Sequence, residues 1–332
     1  MRAELTGAWR GGRITAPPSK SMAHRALICA ALAQGESRIE NIAHSKDIDA
    51  TAGALRAFGA QIDFQGNTAL VQGTGGRLCT PERPVWCCES GSTLRFLIPV
   101  FAALGIEATF VGHGRLPERP IGVYTDLLPQ HGVTVETAGG LPFHITGKLQ
   151  SGDFRVPGNI SSQFITGLLF ALPLLKKDST VTLTTPLESK GYIDLTIEVL
   201  AGFGVKIEET ETGWHICGGQ TYRAEHYTVE GDWSQAAFFL SEAAALSACS
   251  AFPKPLCKAI KPASISGGSS GFLSPKKTAF MLPKTKIQIS PTAACTASRL
   301  TPRKFPIWCL RSPSRLRSRR ARPSFPMRSD CT

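Results

Sequence analysis

The residues best suited to chemistry in this sequence are cations, hydroxyls and glycines gathered where helices are expected to begin. In the segment APPSKSMAHR, two prolines precede Ser19 and Ser21, either of which can cap a helix beginning near Met22. Lys20 and Arg25 would then lie beside a helix N-terminus, where backbone N–H groups and the helix dipole favour an anion. The alternative interpretation is a capped helix with two solvated cations.

Two further segments combine small residues with arginine. CESGSTLRFL places Gly91 near the start of a helix, with exposed backbone N–H groups and Arg95 about one turn later. GHGRLPERP holds Arg115 and Arg119, the second of which is fixed before a proline, in a loop suited to bidentate contact with an oxyanion. An ordinary capped helix and a surface turn are the alternatives.

Hydroxyl and amide donors fill the last two segments. PGNISSQF gathers Ser161, Ser162 and Gln163 at a helix start, and ESKGYID places Ser189 at the start of another helix. Such donors suit a polyol phosphate, although a capping cluster has the same pattern. HExxH, CxxC-pair, GxSxG and P-loop lysine motifs are missing from the sequence, so metal, thiol and nucleotide chemistry have no support from motifs.

Three internal repeats would position these segments. Gly59, Gly132 and Gly204 stand 73 and 72 residues apart, and each ends an amphipathic helix that is followed by two short strands. A period of this length is too long for a solenoid repeat. We therefore predict an α/β fold with three βαβαββ-like units packed into one globule. Three unrelated helix–glycine–strand units are the alternative.

Charge divides the chain near residue 249. Residues 1–248 carry 20 Lys and Arg against 24 Asp and Glu, whereas residues 249–332 carry 17 Lys and Arg and a single acid, Asp330. Helical and strand periodicity also stops beyond Ala248. We expect residues 249–332 to be a disordered basic tail, because such a segment buries too little apolar surface to offset its ordering entropy.

The predicted compartment follows from the apolar pattern. A run of about eighteen apolar residues, as a membrane span requires, does not occur, and the opening residues MRAELT lack the apolar stretch of a signal peptide. We expect a cytoplasmic protein with reduced cysteines and no membrane partner.

In their order along the chain, these five segments and VEGDWSQAA at residues 229–237 resemble the 5-enolpyruvylshikimate-3-phosphate synthase (3-phosphoshikimate 1-carboxyvinyltransferase) family. The resemblance covers residues 1 to about 248. It implies a transferase of the shikimate pathway of aromatic amino acid biosynthesis, which moves the enolpyruvyl group of phosphoenolpyruvate to the 5-hydroxyl of shikimate 3-phosphate without a cofactor. It also implies a monomer of two globules, each of three βαβαββ units, with the active site between them. Residues 1–18 would belong to the second globule, 19–230 to the three-repeat substrate-binding globule, and 231–248 to the start of an incomplete second globule.

Carried over position by position, the resemblance assigns nine substrate-binding residues. Lys20 would contact both substrates, and Gln163 would lie between them. Gly91 and Arg119 would bind phosphoenolpyruvate. Shikimate 3-phosphate would be held by Ser21, Arg25, Ser161, Ser162 and Ser189. Glu89 stands where many members have Asn, so the backbone at this position, rather than the Glu89 side chain, is expected to face the ligand.

The larger departure from the family is the tail. It lacks the family's Ile-Pro-Asp segment, which carries the Asp general base, and its Lys-Glu-x-x-Arg motif. Joining the third base of each codon to the first two of the next allows residues 251–271 to read LSEASVQGDKASIDIRRQFG and residues 295–311 to read HGIEIDAAQIPDLVPA. The first string supplies a fourth helix–Phe-Gly repeat, and the second supplies Ile-Pro-Asp. A single frame slip near residues 246–251 therefore explains the tail, and we expect the chain as written to lack the catalytic residues and the activity.

Three alternatives stay open from the sequence alone. A UDP-N-acetylglucosamine enolpyruvyl transferase has the same fold, but its usual Lys-Asn start and loop cysteine are missing here. A non-enzymatic remnant could use the basic tail to bind nucleic acid non-specifically, whereas specific recognition is not expected from a tail with few aromatics and no folded module. The frame slip could equally be an error in the recorded sequence of an intact gene.

Overall fold

The computed structural model describes residues 12–75, 79–236 and 286–289 of the chain. The helices are α1 (Lys20–Leu32), α2 (Lys46–Ala57), α3 (Gly91–Leu104), α4 (Gly122–Leu127), α5 (Ser162–Ala171) and α6 (Lys190–Gly202). The strands are β1 (Gly12–Thr15), β2 (Gln34–Glu40), β3 (Gln61–Gln65), β4 (Thr68–Thr74), β5 (Val85–Trp86), β6 (Ala108–Val111), β7 (Val133–Thr137), β8 (Phe143–Gly147), β9 (Asp153–Val156), β10 (Ser179–Leu183), β11 (Glu208–Glu209), β12 (Gly213–Ile216), β13 (His226–Thr228) and β14 (Lys286–Ile289). Short 3-10 helices at Leu128–His131 and Leu172–Leu174 follow α4 and α5.

Three four-stranded sheets share one topology. Their strand orders are β13-β2-β4-β3, β5-β6-β8-β7 and β9-β10-β12-β11. In each sheet the first two strands are parallel, and the two that follow are antiparallel to their neighbours. The prediction of three βαβαββ units in one globule is confirmed. The first unit takes its first strand, β13, from the far end of the globule in sequence, which the repeat pattern did not indicate.

The glycines that marked the repeats end the outer helices as predicted. Gly59, Gly132 and Gly204 have φ of +115°, +83° and +82°, in the left-handed region that favours glycine after a helix. The middle repeat differs in that α4 stops at Leu127 and continues as a 3-10 turn. Pro129 lies in that turn and has no N–H to extend the α-helical ladder.

The first helix of each unit lies inside the globule. α1, α3 and α5 are buried along nearly their whole length, because their sequences are apolar on almost every side. α3 and α5 pack most closely at Gly167, where an added Cβ would collide with the Arg95 carbonyl oxygen and the Tyr124 hydroxyl. α2, by contrast, buries Ile48 and Leu55 and leaves its charged residues outside.

Two chain segments leave the globule side by side. Pro18 and Gly231 form an antiparallel bridge, and the Ser19 N–H donates to Glu230 O at 2.8 Å. Beyond the bridge, Ala16 and Ala236 form an apolar cluster separate from the main core. The bridge falls at the boundaries predicted at residues 18/19 and 230/231, and the assignment of the outer segments to a second globule stays a prediction.

β1 pairs antiparallel with β14, and the rest of residues 249–332 lies outside the described residues, as does the prediction of disorder for them. Within the described parts of the chain, no helix is long and apolar enough to cross a membrane.

Candidate anion-binding site

The three inner helices begin with the same kind of cap. Ser19 caps α1, Ser90 caps α3 and Ser161 caps α5, and each Oγ accepts an N–H of the first turn at 3.1 to 3.4 Å. The helix predicted to start near Met22 begins at Lys20. Because equivalent helices in three repeats start at equivalent positions, the predicted binding residues are placed at helix N-termini, which favour anions.

Gly91, Arg119 and Gln163 come together where α3 and α5 begin. A Cβ built on Gly91 would lie 3.0 Å from Arg119 Nη1, 3.4 Å from Gln163 Oε1 and 3.6 Å from Arg95 Nη1. Gln163 Nε2 donates to Ser92 Oγ at 3.0 Å, which joins the first turns of the two helices. Gly91, Arg119 and Gln163, which were predicted from three separate segments, therefore lie together with the guanidinium group of Arg95.

Arg95 is the buried cation of this cluster. Its Nη1 donates to Gln163 Oε1 and its Nη2 to Pro120 O, both at 2.7 Å, and its guanidinium lies 4.9 Å from the centre of the Phe164 ring. Burial lowers the pKa of Arg95, and the positive charge of Arg119 lowers it further. An added anion would relieve this repulsion.

Arg119 is the exposed cation of the pair. Among the residues that the structure describes, no carboxylate lies within ion-pair distance of its guanidinium. Its backbone N–H bonds Leu116 O at 3.1 Å in the loop turn. The side chain is therefore available to an oxyanion at the Gly91 position.

Lys20 lies at the first residue of α1 and forms an ion pair with Asp47, Nζ to Oδ2 2.6 Å. The Lys20 side chain is 53% exposed, so an incoming anion can compete with Asp47 for the ammonium group. Thr93 Oγ1 lies 3.5 Å from Asp47 O, which places the Lys20–Asp47 pair beside the first turn of α3.

Arg25 has a more structural setting than the sequence suggested. It is buried, and its nitrogens donate to Thr196 Oγ1 at 2.8 Å, to Ser21 O at 2.7 Å and to Tyr192 O at 3.2 Å. Burial lowers its pKa to about 10. Arg25 thus ties α1 to α6, and a role in binding shikimate 3-phosphate stays a prediction for both Arg25 and Ser21.

The remaining predicted residues occupy the first turns of α5 and α6. Ser162 is buried at the first position of α5, directly after its cap. Ser189 is exposed, precedes α6 and has φ +58°, which is uncommon for a residue with a side chain. Strained backbone of this kind often occurs at ligand sites, but no contact between Ser189 and the Gly91 cluster joins them directly among the described residues.

Glu89 points away from the cluster. Its Oε1 accepts the Arg115 N–H at 3.0 Å, and its carboxylate packs against Gly114, where a Cβ would collide with it. The carboxylate therefore holds the loop that carries Arg119, and the expectation that the backbone here faces the ligand stays a prediction.

Sequence reasoning did not identify two residues, Tyr124 and Ser92, that hold the cluster in place. Tyr124 directs its hydroxyl at Arg95 O, 2.6 Å, and Phe164 O, 3.0 Å, and so links the backbones of α3 and α5. Ser92 receives the Gln163 amide. The spacing of Arg95, four residues after Gly91, was the one sequence signal that these first-turn residues lie together. The sequence gives no signal for Tyr124, because its partners are backbone carbonyls of distant segments.

Comparison with known proteins gives this geometry a family. The family described as EPSP synthase (3-phosphoshikimate 1-carboxyvinyltransferase) matches residues 8–251. The chain belongs to this family.

Two relatives match this chain over only about half of their own length. The chain is 49% identical to the 3-phosphoshikimate 1-carboxyvinyltransferase of Clostridium kluyveri over 231 residues, 69% of this chain and 54% of that protein. It is 46% identical to that of Clostridium perfringens over 235 residues, 70% of this chain and 55% of that protein. It also resembles an EPSP synthase structure from Acinetobacter baumannii, with a TM-score of 0.64, 26% identity and coverage of 70% and 52% of the two chains. The chain thus spans about half the length of the curated relatives it matches.

Proposed function

We propose that the described globule binds shikimate 3-phosphate and phosphoenolpyruvate, as the substrate half of an enolpyruvyl transferase of aromatic amino acid biosynthesis. The observation that carries the proposal is that the side chains of Arg119 and Gln163 end within 3.4 Å of where a Gly91 Cβ would lie, between the first turns of α3 and α5. Two helix N-termini and two guanidinium groups there suit a ligand with several negative charges.

Phosphoenolpyruvate has a carboxylate and a phosphate, and Gly91 and Arg119 are its proposed partners. The absence of a Cβ at Gly91 allows an anion to approach the backbone N–H groups of α3. Arg119 offers a planar fork of donors that matches either group bidentately. Gln163 is held by Arg95 and Ser92, so its amide has a defined orientation between the two ligands.

Shikimate 3-phosphate is assigned to the α1, α5 and α6 side of the same face. Its proposed partners are Lys20, Ser21, Arg25, Ser161, Ser162 and Ser189. Hydroxyl groups suit a polyol because each can both donate and accept. Lys20 can exchange its Asp47 partner for a substrate anion.

Enolpyruvyl transfer joins the 5-hydroxyl oxygen of shikimate 3-phosphate to the carbon that carries the phosphate of phosphoenolpyruvate, and inorganic phosphate leaves. The hydroxyl proton must be removed and the methylene carbon must gain and lose a proton, so an acid–base group is needed. The family's Ile-Pro-Asp base has no counterpart in residues 249–332 as they are written. We therefore propose binding without turnover for this chain.

Calorimetric titration of the full 332-residue chain with shikimate 3-phosphate tests the proposal. We expect weak binding, which Lys20→Ala and Ser162→Ala each reduce by about threefold to tenfold, because a hydrogen bond to a charged group contributes roughly 1.5–3 kcal/mol before solvent screening. Lys176→Ala is the matched control, since this exposed lysine lies after α5, away from the helix N-termini. Absence of binding by the parent chain, or equal affinities for all four proteins, would show that the assignments are wrong.

We further propose that the protein is a cytoplasmic monomer without a specific nucleic-acid partner. The support is its membership of the EPSP synthase family, whose description names an enzyme that acts on a small molecule. The assignment of residues 1–18 and 231–248 to a second globule is a proposal of the same kind, supported by the separate Ala16–Ala236 cluster.

A further inference from the structure

A chain of buried polar side chains ends at Ser90, the cap of α3 at the candidate site. His24 Nδ1 lies 2.7 Å from Thr51 Oγ1, Thr51 Oγ1 lies 2.7 Å from Thr93 Oγ1, and Thr93 Oγ1 lies 2.7 Å from Ser90 Oγ. All four residues are at most 2% exposed. The chain crosses from α1 through α2 to the cap of α3, directly before Gly91.

The proton positions along this chain follow from counting donors. Thr93 Oγ1 donates to Ser90 Oγ at 2.7 Å, and the Asp47 carbonyl oxygen is more distant at 3.5 Å. A hydroxyl has one proton, so Thr93 must accept from Thr51. The Thr51 proton is then used as well, and Thr51 must accept from His24. The proton of a neutral His24 therefore lies on Nδ1.

The surroundings of the ring agree with this tautomer. Within the described residues, His24 Nε2 is buried without a hydrogen-bond partner. Burial lowers the pKa of His24 to about 3, against the smaller opposing effect of Asp47, so the ring is neutral near pH 7. A second proton would have to lie on the unpartnered Nε2, where nothing replaces its lost hydration.

We propose that His24 is a positioning residue for the anion site, acting through Thr51 and Thr93 on the Ser90 cap of α3. Ser90 Oγ accepts from both the Thr93 hydroxyl and the Thr93 N–H, at 2.7 and 3.1 Å. These two bonds fix the cap and, with it, the direction of the Gly91 and Ser92 N–H groups that the ligand would use. The inference rests on the proposed function for its ligand, whereas the direction of the hydrogen bonds does not depend on it.

The first measurement is the tautomer of His24 in the ligand-free full chain. Nitrogen-15 correlation spectra of the histidine rings separate Nδ1–H from Nε2–H, and a purely structural buried histidine could have either form. We expect Nδ1–H for His24, unchanged from pH 7 to about pH 4. An Nε2–H ring would reverse the chain and overturn the proposal.

The second measurement compares a conservative with a disruptive change. In His24→Asn the amide nitrogen can replace the Nδ1–H donor, whereas His24→Leu leaves Thr51 without it. We expect the dissociation constant of phosphoenolpyruvate, followed by the amide signals of Gly91 and Ser92, to stay within about twofold in His24→Asn and to rise about fivefold in His24→Leu, the effect of one net hydrogen bond. Equal constants for the two variants would overturn the proposal.

A second pair of variants covers the case in which His24→Leu does not fold. Thr51→Ser keeps the hydroxyl and Thr51→Val removes it at nearly the same volume, so the same contrast is expected between them. If phosphoenolpyruvate shifts no amide of the parent chain, the proposed function fails. In that case the ring tautomer and the ligand-free Gly91 and Ser92 signals of the Thr51 pair still decide the role of His24, since identical signals in both variants would overturn it.

Discussion

At the residue scale, Gly91 shows how a missing side chain can define a site. A Cβ added at this position would lie 3.0 to 3.6 Å from the ends of Arg119, Gln163 and Arg95, which belong to three different segments. Any side chain at position 91 would occupy the space in which these groups meet. Glycine is therefore favoured at position 91 by the side chains that crowd it, not by its backbone conformation. Its φ is that of an ordinary helical residue at the start of α3.

Gly91→Ala is expected to weaken phosphoenolpyruvate binding more than it weakens the fold. The new Cβ would lie 3.0 Å from Arg119 Nη1, a flexible group that can move by a few tenths of an ångström. We expect the dissociation constant to rise about tenfold, equivalent to roughly 1.4 kcal/mol, with a change in unfolding free energy below about 1 kcal/mol. Calorimetry and urea unfolding measure the two effects.

Gly122→Ala is the matched control for that substitution. Gly122 also begins a helix, α4, but its Cβ would meet only Thr125 Oγ1 at 4.0 Å. Binding by this variant should equal that of the parent chain. Equal loss of affinity in both glycine variants would contradict a specific role for Gly91.

His24 should make the protein sensitive to acid. The unfolded chain binds a proton at His24 below pH 6.5, whereas the folded chain does so only near pH 3, because burial disfavours the charged ring. Above pH 6.5 the ring is neutral in both states, and His24 leaves the stability unchanged. Below pH 6.5 the unfolded state gains a proton that the folded state does not, so the free energy of unfolding falls. The free energy of unfolding should therefore fall by about 1.4 kcal/mol per pH unit between roughly pH 6 and pH 4 from this group alone.

His24→Asn should remove that part of the pH dependence. Urea unfolding of both proteins at several pH values between 4 and 7 gives the difference in slope. His131 also has a pKa lowered by burial, but it is present in both proteins and cancels in the comparison. Identical slopes for the two proteins would contradict the neutral buried state of His24.

At the element scale, the packing of α3 against α5 controls the geometry of the site. Gln163 and Arg95 meet across this helix pair, and the Tyr124 hydroxyl bonds a backbone carbonyl of each helix. The helices approach closely because Gly167 has no side chain. A shift of one helix along the other would separate Gln163 from Gly91 before it exposed much of the core.

Gly167→Ala should therefore destabilise the globule, although alanine is the better helix former. Its Cβ would collide with Arg95 O and the Tyr124 hydroxyl, and it would lie 2.9 Å from Pro99 Cγ. Overpacking of this kind typically costs about 1–3 kcal/mol. Gly53→Ala in α2 is the control, since no heavy atom lies within 4 Å of its Cβ, and it should stabilise by up to about 1 kcal/mol. A Gly167→Ala variant as stable in urea as the Gly53→Ala variant would show that α3 and α5 tolerate separation.

At the scale of the whole molecule, the chain enters and leaves the described globule at a bridge between Pro18 and Gly231. The globule contains three complete repeats, and the curated relatives are nearly twice as long as the part that matches. We expect the family's Ile-Pro-Asp base to be encoded in the shifted frame of residues 295–311. Binding and turnover are thus expected to depend on different parts of the gene.

An assay of phosphate release measures turnover separately from substrate binding. We expect the chain as written to release no phosphate above background from phosphoenolpyruvate and shikimate 3-phosphate. A gene with the frame restored near codon 248 should produce turnover at least about 10²–10⁴-fold above that background, the typical contribution of a general acid–base group. Turnover by the unaltered chain, or an inactive restored protein that still binds both substrates, would contradict the frame-slip account.

Much of the fold and the family were accessible from the sequence because they depend on local patterns. The glycines at positions 59, 132 and 204 end helices through their own backbone conformation, and a serine before a helix caps it through a local hydrogen bond. Neither effect depends on distant parts of the chain. The five motifs, in order, were specific enough to indicate the family that the comparison confirmed. The change of charge near residue 249 is likewise a property of composition alone.

Only the tertiary structure decided which of these residues meet. Gly91, Arg119 and Gln163 converge because three repeats place equivalent helix starts at one face, and the donors that hold Gln163 come from a neighbouring helix. Arg25 looked like a ligand group from its spacing, and the structure adds that it is buried between α1 and α6, where it donates to one hydroxyl and two carbonyl oxygens, so its role in binding stays a prediction. Spacing along the chain determines which residue begins a helix, whereas burial and long-range hydrogen bonds determine whether its side chain is free to bind.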